Sequence, residues 1–176
     1  REQFLQFLLN IAASSPDLDL APLYRIDGKS DLTEEVLTDW PGFCGEKPVR
    51  VGNAAATHQQ HDVFGEMVLA LTPLFLDARF REQVTAPVLD LVTRLARKAI
   101  SVVGQPDAGI WEYRAKCRPQ TFSSLMCWAA ADRMSTIASQ HRPVDASEFA
   151  AAANTIRNEL LKQAVDPLRG CLVADY

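Results

Sequence analysis

Hydrophobic side chains recur three or four positions apart in several segments of the chain, which is the spacing of one face of an α-helix. Residues 2–13, EQFLQFLLNIAA, show this pattern and predict an amphipathic helix. Residues 54–75 predict a second helix, for which Asn53 is a suitable N-cap. Pro73 is expected to end or kink that helix, because proline cannot donate the backbone hydrogen bond of a helix interior.

Three further helices are predicted in the second half of the chain. The third begins near Thr85, with Pro87 in its first turn, and the fourth begins at about Thr121. The fifth begins with the sequence DASE, in which Asp145 as N-cap and Glu148 three positions later resemble a capping box. The residues expected to face the core from the last two helices are Leu125, Trp128, Ala129, Phe149, Ala153, Ile156 and Leu160.

Turn-forming residues interrupt the helical pattern between residues 14 and 52, where prolines and glycines are frequent. A connection of this length is uncommon and usually has a function. The pattern of a strand is confined to PVRVG, residues 48–52, and to CLVAD, residues 171–175. Helices in succession with elaborate loops at one end predict an all-α protein of α/α architecture with minimal strand.

Composition narrows the class of protein further. The chain has 176 residues, of which 48% are hydrophobic, and this is enough for the core of one domain. A net charge of -4 without a basic run gives no reason to expect a nucleic acid or an acidic membrane as partner. No apolar run approaches the roughly 20 residues of a membrane helix. The four cysteines are scattered without CxxC spacing, which favours a reducing, cytoplasmic location.

The stretch PDAGIWEYR, residues 106–114, carries the strongest sign of chemistry. A loop that merely joined two helices could be short and polar, whereas this one places Trp111 beside Glu112, with Arg114 two residues on. His58 and His61 are three positions apart and could share a helix face as metal ligands, with Asp62 nearby. A third ligand is not evident, so a metal site is not predicted. The glycines form no phosphate-binding loop.

Four blocks of the sequence resemble, in order, the bacterial glucoamylase and trehalase-like enzymes of glycoside hydrolase family 15. The blocks are LYRIDGKSDLTEEVL, PGFCGEKPVRVGNAAATHQQHDVFGEM, PDAGIWEYR and TFSSLMCWAAADR. The resemblance covers residues 1–176 and corresponds to the middle and later part of the family's catalytic domain, an (α/α)6 barrel. It therefore implies one partial α/α-toroid domain, with the N-terminal and C-terminal parts of the barrel expected outside this chain.

The resemblance also implies roles for individual residues. Glu112 matches the general acid that protonates the departing glycosidic oxygen, a task that requires a carboxyl group still protonated near neutral pH. Trp111 would shield this acid from water and pack against a sugar ring. The further substrate-binding residues that it implies are Arg114, Gln60, Asp62, Asn53 and Arg50. No cofactor and no metal are implied, and the expected partner is an oligosaccharide or disaccharide.

Several positions depart from the family pattern. His58 replaces a glutamine, and PQTFSS, residues 119–124, stands where HFTHSK is common, so that polar groups expected near the sugar are lost. An inverting glycosidase also needs a second carboxylate, roughly 6.5 to 9.5 Å from the acid, as general base. In the family this base lies on a later block, and the resemblance therefore places it outside this chain.

Two functions remain as hypotheses. The first is a segment of an inverting, exo-acting hydrolase of α-glucans or trehalose, in which case the 176-residue chain alone is expected to be inactive. The second is a non-catalytic carbohydrate-binding or structural helical module on the same scaffold. In either case the helices of a partial barrel would expose apolar faces, which a homo-oligomer could cover.

Overall fold

A computed structural model describes residues 2–112 and 117–176 of the chain. These residues form five α-helices: α1 Glu2–Ser14, α2 Asp62–Leu76, α3 Ala86–Val102, α4 Thr121–His141 and α5 Pro143–Gln163. The all-α class predicted from the hydrophobic pattern is confirmed. The predicted positions of the first, third and fourth helices agree with the structure to within about two residues. The first and third helices have a clear apolar face, and Pro87 marks the start of the third.

Six strands of two residues each accompany the helices: β1 Glu35–Val36, β2 Arg50–Val51, β3 Pro106–Asp107, β4 Arg118–Pro119, β5 Val165–Asp166 and β6 Cys171–Leu172. They pair antiparallel as β1 with β2, β3 with β4 and β5 with β6. The strands predicted in PVRVG and CLVAD are confirmed, but their confinement to those two stretches was wrong. A strand needs a partner for its backbone hydrogen bonds, and the partners here are too short to show alternation.

The main core lies between α2, α3 and α4. Its fully buried members include Val68, Leu71, Val92, Leu95, Ala99, Met134 and Ile137. A smaller cluster on the other side of α4 contains Ala131, Ala153, Ile156 and Leu160. Arg142 alone separates α4 from α5, and the two helices make extensive contact, so they form an antiparallel helical hairpin.

The predicted inward face of α5 is confirmed, whereas that of α4 is confirmed only in part. Phe149, Ala153, Ile156 and Leu160 are all buried. On α4, Ala129 is buried, but Leu125 and Trp128 are only half-buried and pack against the smaller cluster. These two side chains therefore lie at the margin of the smaller cluster.

The second helix begins later than its hydrophobic pattern predicts. Asn53 does act as a cap, but of a single 3-10 turn, Ala54–Thr57, and its side-chain oxygen accepts a backbone N–H at 2.9 Å. The α-helix starts only at Asp62. Between them the backbone groups of Gln59 and His61 form hydrogen bonds with the loop that follows α3, and they are therefore not available to a continuous helix.

Pro73 does not end α2, which continues to Leu76. Proline inside a helix costs about 3 kcal/mol, and the packing of this segment offsets that cost. Leu71, Leu74 and Phe75 are all buried on either side of the proline. Burial of side chains of this kind is worth about 1.5 to 3 kcal/mol each, which is sufficient to keep the last turn helical.

The capping box predicted for α5 is absent. The helix starts at Pro143, so Asp145 lies in its first turn instead of preceding it. Its carboxylate lies 3.7 Å from the guanidinium of Arg97 on α3 and 3.8 Å from that of Arg142. Glu148 also pairs with Arg97, at 3.1 Å. The two acidic residues that resemble a capping box thus join α5 to α3 by ion pairs.

The described residues include no helix whose length and apolar content would allow it to cross a bilayer. All four cysteines are free thiols, and Cys127 is the buried one. Exposed apolar side chains remain on the outer helices, among them Phe4 on α1 and Leu161 on α5.

Candidate active site

Trp111 and Glu112 lie in residues 108–112, directly after strand β3, which pairs antiparallel with β4 to form the stem of a hairpin. In the stem of this hairpin Pro106 lies opposite Pro119, and Asp107 lies opposite Arg118. Proline cannot donate a ladder hydrogen bond, so a stem made of two such strands has little internal stability. The hairpin must therefore be held by contacts with the rest of the protein.

Hydrogen bonds from the stem to two helix starts supply these contacts. The backbone N–H of Ala108 donates to the carbonyl of Gln59 at 3.0 Å. One carboxylate oxygen of Asp107, Oδ2, accepts two hydrogen bonds, from the backbone N–H of His61 and from the hydroxyl of Ser123, each at 2.7 Å. His61 immediately precedes α2, and Ser123 lies in the first turn of α4. The stem is thereby fixed to the N-terminal ends of both helices.

Close packing between α2 and α4 brings these two ends together. Gly65 on α2 lies against the backbone of Met126 on α4, and a Cβ at Gly65 would overlap the Met126 carbonyl. The thiol of Cys127 lies 3.7 Å from the carbonyl of His61, at the same level of the two helices. Helix N-termini carry partial positive charge, which favours a carboxylate such as Asp107 between them.

The tip of the hairpin has a constrained backbone. Gly109 has a φ of 65°, and a side chain there would place its Cβ 2.8 Å from Cγ of Gln120, so glycine meets both a conformational and a steric requirement. Glu112 also lies in the left-handed region, with a φ of 53°, and its N–H donates to the carbonyl of Gly109 at 3.0 Å. Glu112 is half-buried, whereas Trp111 is 75% exposed to solvent.

Gln60 and Asp62 lie next to the anchor point of the stem, at the start of α2. Both side chains are buried, and within the described part of the chain Nε2 of Gln60 and Oδ1 of Asp62 have no hydrogen-bond partner. Unsatisfied buried polar atoms are uncommon, and they are typical of functional sites or of places for ordered water. Gln60 also lines a cavity of about 350 Å³, whose other polar walls include Asp17, Asp19, His58 and Lys98.

Burial favours the neutral form of two side chains at the start of α2, those of Asp62 and His61. Burial raises the pKa of Asp62 to about 6, and the nearby carboxylates of Glu66 and Asp107 act in the same direction. Burial lowers the pKa of the His61 imidazole, so that this ring is neutral at pH 7. A carboxyl group whose pKa is raised by burial and by neighbouring carboxylates is a recognised sign of a functional site.

The sequence also singled out Arg50, Asn53 and Arg114. Arg50 in β2 is exposed and forms an ion pair with Glu34 at 3.2 Å. Asn53 uses its side-chain oxygen to cap the 3-10 turn that precedes α2. Arg114 lies outside the described residues. Among residues 2–112 and 117–176, no three histidine, cysteine or acidic side chains are grouped closely enough to hold a metal ion.

Sequence reasoning missed the part played by Asp107 and Ser123. Their partners lie far away in the sequence, so no spacing pattern reveals them. The available signal was an acidic residue within PDAGI, where small and apolar neighbours and a glycine turn indicate that the carboxylate is buried.

Comparison with known proteins gives one consistent family. The family described as glycosyl hydrolases family 15 matches residues 1–176 of the chain. A trehalase of Mycolicibacterium smegmatis is 33% identical over 99% of this chain and 26% of its own length. A trehalase of Mycobacterium tuberculosis is 32% identical, with the same coverage of both proteins.

More distant relatives carry the same name. A trehalase of Thermoplasma volcanium is 29% identical over 91% of this chain and 25% of its own length. No solved structure matches the chain. The chain spans about a quarter of the length of the curated relatives that it matches.

Proposed function

This chain belongs to glycosyl hydrolase family 15, and on that premise we propose that the protein hydrolyses the α-glucosidic bond of trehalose with inversion at the reacting carbon. The relatives that match nearly the whole chain are named trehalases, which favours the disaccharide over longer α-glucans as substrate. Residues 1–176 are proposed to form one part of a larger α/α-toroid domain, and to be inactive on their own.

Glu112 is proposed as the general acid. An alkoxide is a poor leaving group, so the glycosidic oxygen must receive a proton as its bond to the sugar carbon breaks. The position of Glu112 supports this role, because the residue is half-buried at the tip of a hairpin whose stem is fixed to the starts of α2 and α4. A carboxyl group held in this way can be directed at one atom of a bound substrate.

The observation that carries the proposal is the connection between the hairpin and the start of α2. The hydrogen bond from Ala108 to Gln59 holds the hairpin that carries Glu112 beside the segment that contains Gln60 and Asp62. These two side chains are proposed to bind sugar hydroxyl groups directly or through ordered water, since both retain unsatisfied polar atoms.

Trp111 is proposed as a stacking surface for the sugar, because its exposed indole is free to contact a ligand. Arg114 follows the acid in the sequence and would donate hydrogen bonds to sugar hydroxyls. Arg50 pairs with Glu34, and Asn53 caps the 3-10 turn before α2. We therefore propose that these two residues shape the protein surface beside the start of α2. None of these roles requires a cofactor.

The general base is proposed to lie outside residues 1–176. In an inverting reaction the base removes a proton from water as the water oxygen attacks the sugar carbon, and the acid delivers its proton to the departing sugar. The base carboxylate must be ionised and lie roughly 6.5 to 9.5 Å from the acid. Asp62 is a poor candidate, because burial already raises its pKa and its carboxyl group faces other acidic groups.

Proton NMR of early reaction mixtures tests this proposal on the full-length protein. Inverting hydrolysis of trehalose releases one molecule of β-glucose and one of α-glucose, whereas a retaining enzyme releases α-glucose only. Maltose serves as the comparison for α-glucan activity. Inversion on trehalose is expected, with slower release from maltose. Retention would contradict the mechanism, and absence of any glucose release would contradict the activity.

One observation favours a non-catalytic carbohydrate-binding module as the alternative. In the segment PQTFSS, which departs from the family pattern, the hydroxyl of Ser124 forms a hydrogen bond of 2.7 Å with the hydroxyl of Tyr176. This position therefore serves a contact within the chain. Calorimetric titration with trehalose separates the two functions, since the binding module would bind sugar without releasing glucose.

A further inference from the structure

We propose that Asp107 is a positioning residue for Glu112, and that its carboxylate sets the place of the acid by joining three segments at one oxygen atom. The inference rests on the proposed function, in which Glu112 protonates the leaving group. It adds a residue that lies five positions before the acid and that does not itself contact the substrate.

The environment of Asp107 supports this assignment. Its side chain is 1% exposed, and Oδ2 accepts hydrogen bonds of 2.7 Å from the His61 N–H and the Ser123 hydroxyl. Burial of a carboxylate carries a large desolvation cost unless donors compensate for it. Here the donors to Oδ2 come from the facing ends of α2 and α4, where the two helices pack closely, while Oδ1 has no hydrogen-bond partner among the described residues.

A short series of contacts links Asp107 to the acid. Asp107 lies in the stem opposite Arg118, and the next residue but one, Gly109, packs against the side chain of Gln120. The carbonyl of Gly109 then accepts the N–H of Glu112 at 3.0 Å. A displacement of the Asp107 carboxylate would therefore move the backbone turn that carries the acid.

Such a displacement should affect proton transfer more than folding or substrate binding. General acid catalysis requires the carboxyl group within hydrogen-bond reach of the glycosidic oxygen. A misplacement of about 1 Å can lower a rate roughly 100-fold. Sugar binding depends on several separate contacts and tolerates a shift of one loop better than the reacting atoms do.

The test compares Asp107→Asn and Ser123→Ala with Ser124→Ala in the full-length protein. Asp107→Asn retains the shape of the side chain and removes its charge, whereas Ser123→Ala removes one of the two donors. Ser124→Ala is the matched control. It deletes a buried hydroxyl in the same turn of α4, but this hydroxyl contacts Tyr176 and not Asp107. Thermal unfolding is measured for each variant, so that loss of folded protein is recognised.

Two substrates then separate positioning of the acid from general damage. Trehalose needs a proton on its leaving oxygen, while α-glucosyl fluoride releases fluoride, which departs without one. For Asp107→Asn the expected kcat on trehalose is roughly 10- to 100-fold lower, with KM within about twofold, and for Ser123→Ala the loss is smaller. Both should retain most of their rate on α-glucosyl fluoride. Ser124→Ala should retain both rates.

Each other outcome has a clear meaning. Equal losses on the two substrates, or no loss on either, would overturn the role of Asp107. If Asp107→Asn does not fold, the same criteria applied to Ser123→Ala decide the matter. Glu112→Gln serves as the reference, because it should show the same dependence on the leaving group. If Glu112→Gln lacks that dependence, the proposed function fails; if it shows the dependence and the Asp107 and Ser123 variants do not, only this inference fails.

Discussion

The backbone N–H of His61 donates a 2.7 Å hydrogen bond to the carboxylate of Asp107, although the two residues are 46 positions apart in the sequence. The bond joins the residue before α2 to the stem of the hairpin that carries Trp111 and Glu112. It explains two features together, namely why α2 cannot begin at Asn53 and why the hairpin has a defined position. The site and the helix start are therefore parts of one structural unit.

Replacement of Glu112 by glutamine should abolish most hydrolysis while sparing substrate binding. The amide cannot donate the required proton, and general acid catalysis contributes roughly 100- to 10,000-fold. A kcat lower by about that factor is expected on trehalose, with KM little changed. The control is Glu82→Gln, which replaces an exposed carboxylate in the segment between α2 and α3. A Glu112→Gln enzyme with near-normal turnover would refute the assignment of the acid.

Replacement of Trp111 by alanine should weaken sugar binding without loss of stability. The indole is 75% exposed, so little buried surface is lost when it is removed. Loss of a stacking contact should raise KM roughly 3- to 10-fold, which corresponds to about 1 kcal/mol. Trp40→Ala is the matched control, since Trp40 is 62% exposed and lies in the long loop. Similar KM values for the two variants would argue against a sugar contact at Trp111.

The contribution of the Asp62 carboxyl group to the free energy of unfolding should fall as the pH rises from about 4 to about 6. Its pKa is raised from the usual 3.8 to about 6 in the folded state, chiefly by burial. The folded protein therefore binds the proton more tightly than the unfolded chain, and that stabilisation is complete below pH 4 and lost above pH 6. A shift of this size corresponds to at most about 3 kcal/mol.

The variant Asp62→Asn provides the measurement, through urea unfolding midpoints at pH 4, 5, 6 and 7. An amide has no charge to desolvate, so the variant should be more stable than the natural protein at pH 7, and its midpoint should depend less on pH. Asp17→Asn is the control at an exposed position. If the substitution lowered stability relative to the natural protein more at pH 7 than at pH 4, this result would contradict the raised pKa.

Alanine at Gly65 should destabilise the protein although it improves helix propensity. In an isolated helix this change is favourable by roughly 1 kcal/mol. Here the new methyl group would overlap the Met126 carbonyl, so α2 and α4 must separate. Overpacking of this kind typically costs about 1 to 3 kcal/mol or more. Thermal unfolding of Gly65→Ala should occur at a lower temperature, while Ala70→Ser, at a half-exposed position of the same helix, should change it little.

The thiol of Cys127 should resist alkylation in the folded protein. Burial raises its pKa to about 12, so almost no thiolate is present at pH 8, and the sulfur is also inaccessible. The other three cysteines of the chain are exposed. Mass spectrometry after iodoacetamide treatment should show label at Cys44, Cys117 and Cys171, with Cys127 labelled only after denaturation. Rapid labelling of Cys127 without unfolding would show that the α2–α4 contact opens.

The hydrophobic pattern of the sequence by itself determined the helical class and the positions of α1 and α3, because both helices have a clear apolar face. Thr85 precedes Pro87 at the start of α3, and the start near Thr121 was also correct. The family was likewise accessible from the sequence, since short blocks in a fixed order are a local property of the chain.

Only the tertiary structure decided how polar groups at the ends of helices are used. Asp145 resembles an N-cap in the sequence, yet Arg97 on a neighbouring helix lies near its carboxylate. Asn53 has a capping partner, yet the helix after it is interrupted because the backbone groups of Gln59 and His61 bond to a distant loop. A polar atom takes the partner that the fold brings nearest, and a sequence pattern shows only the partners within a few residues.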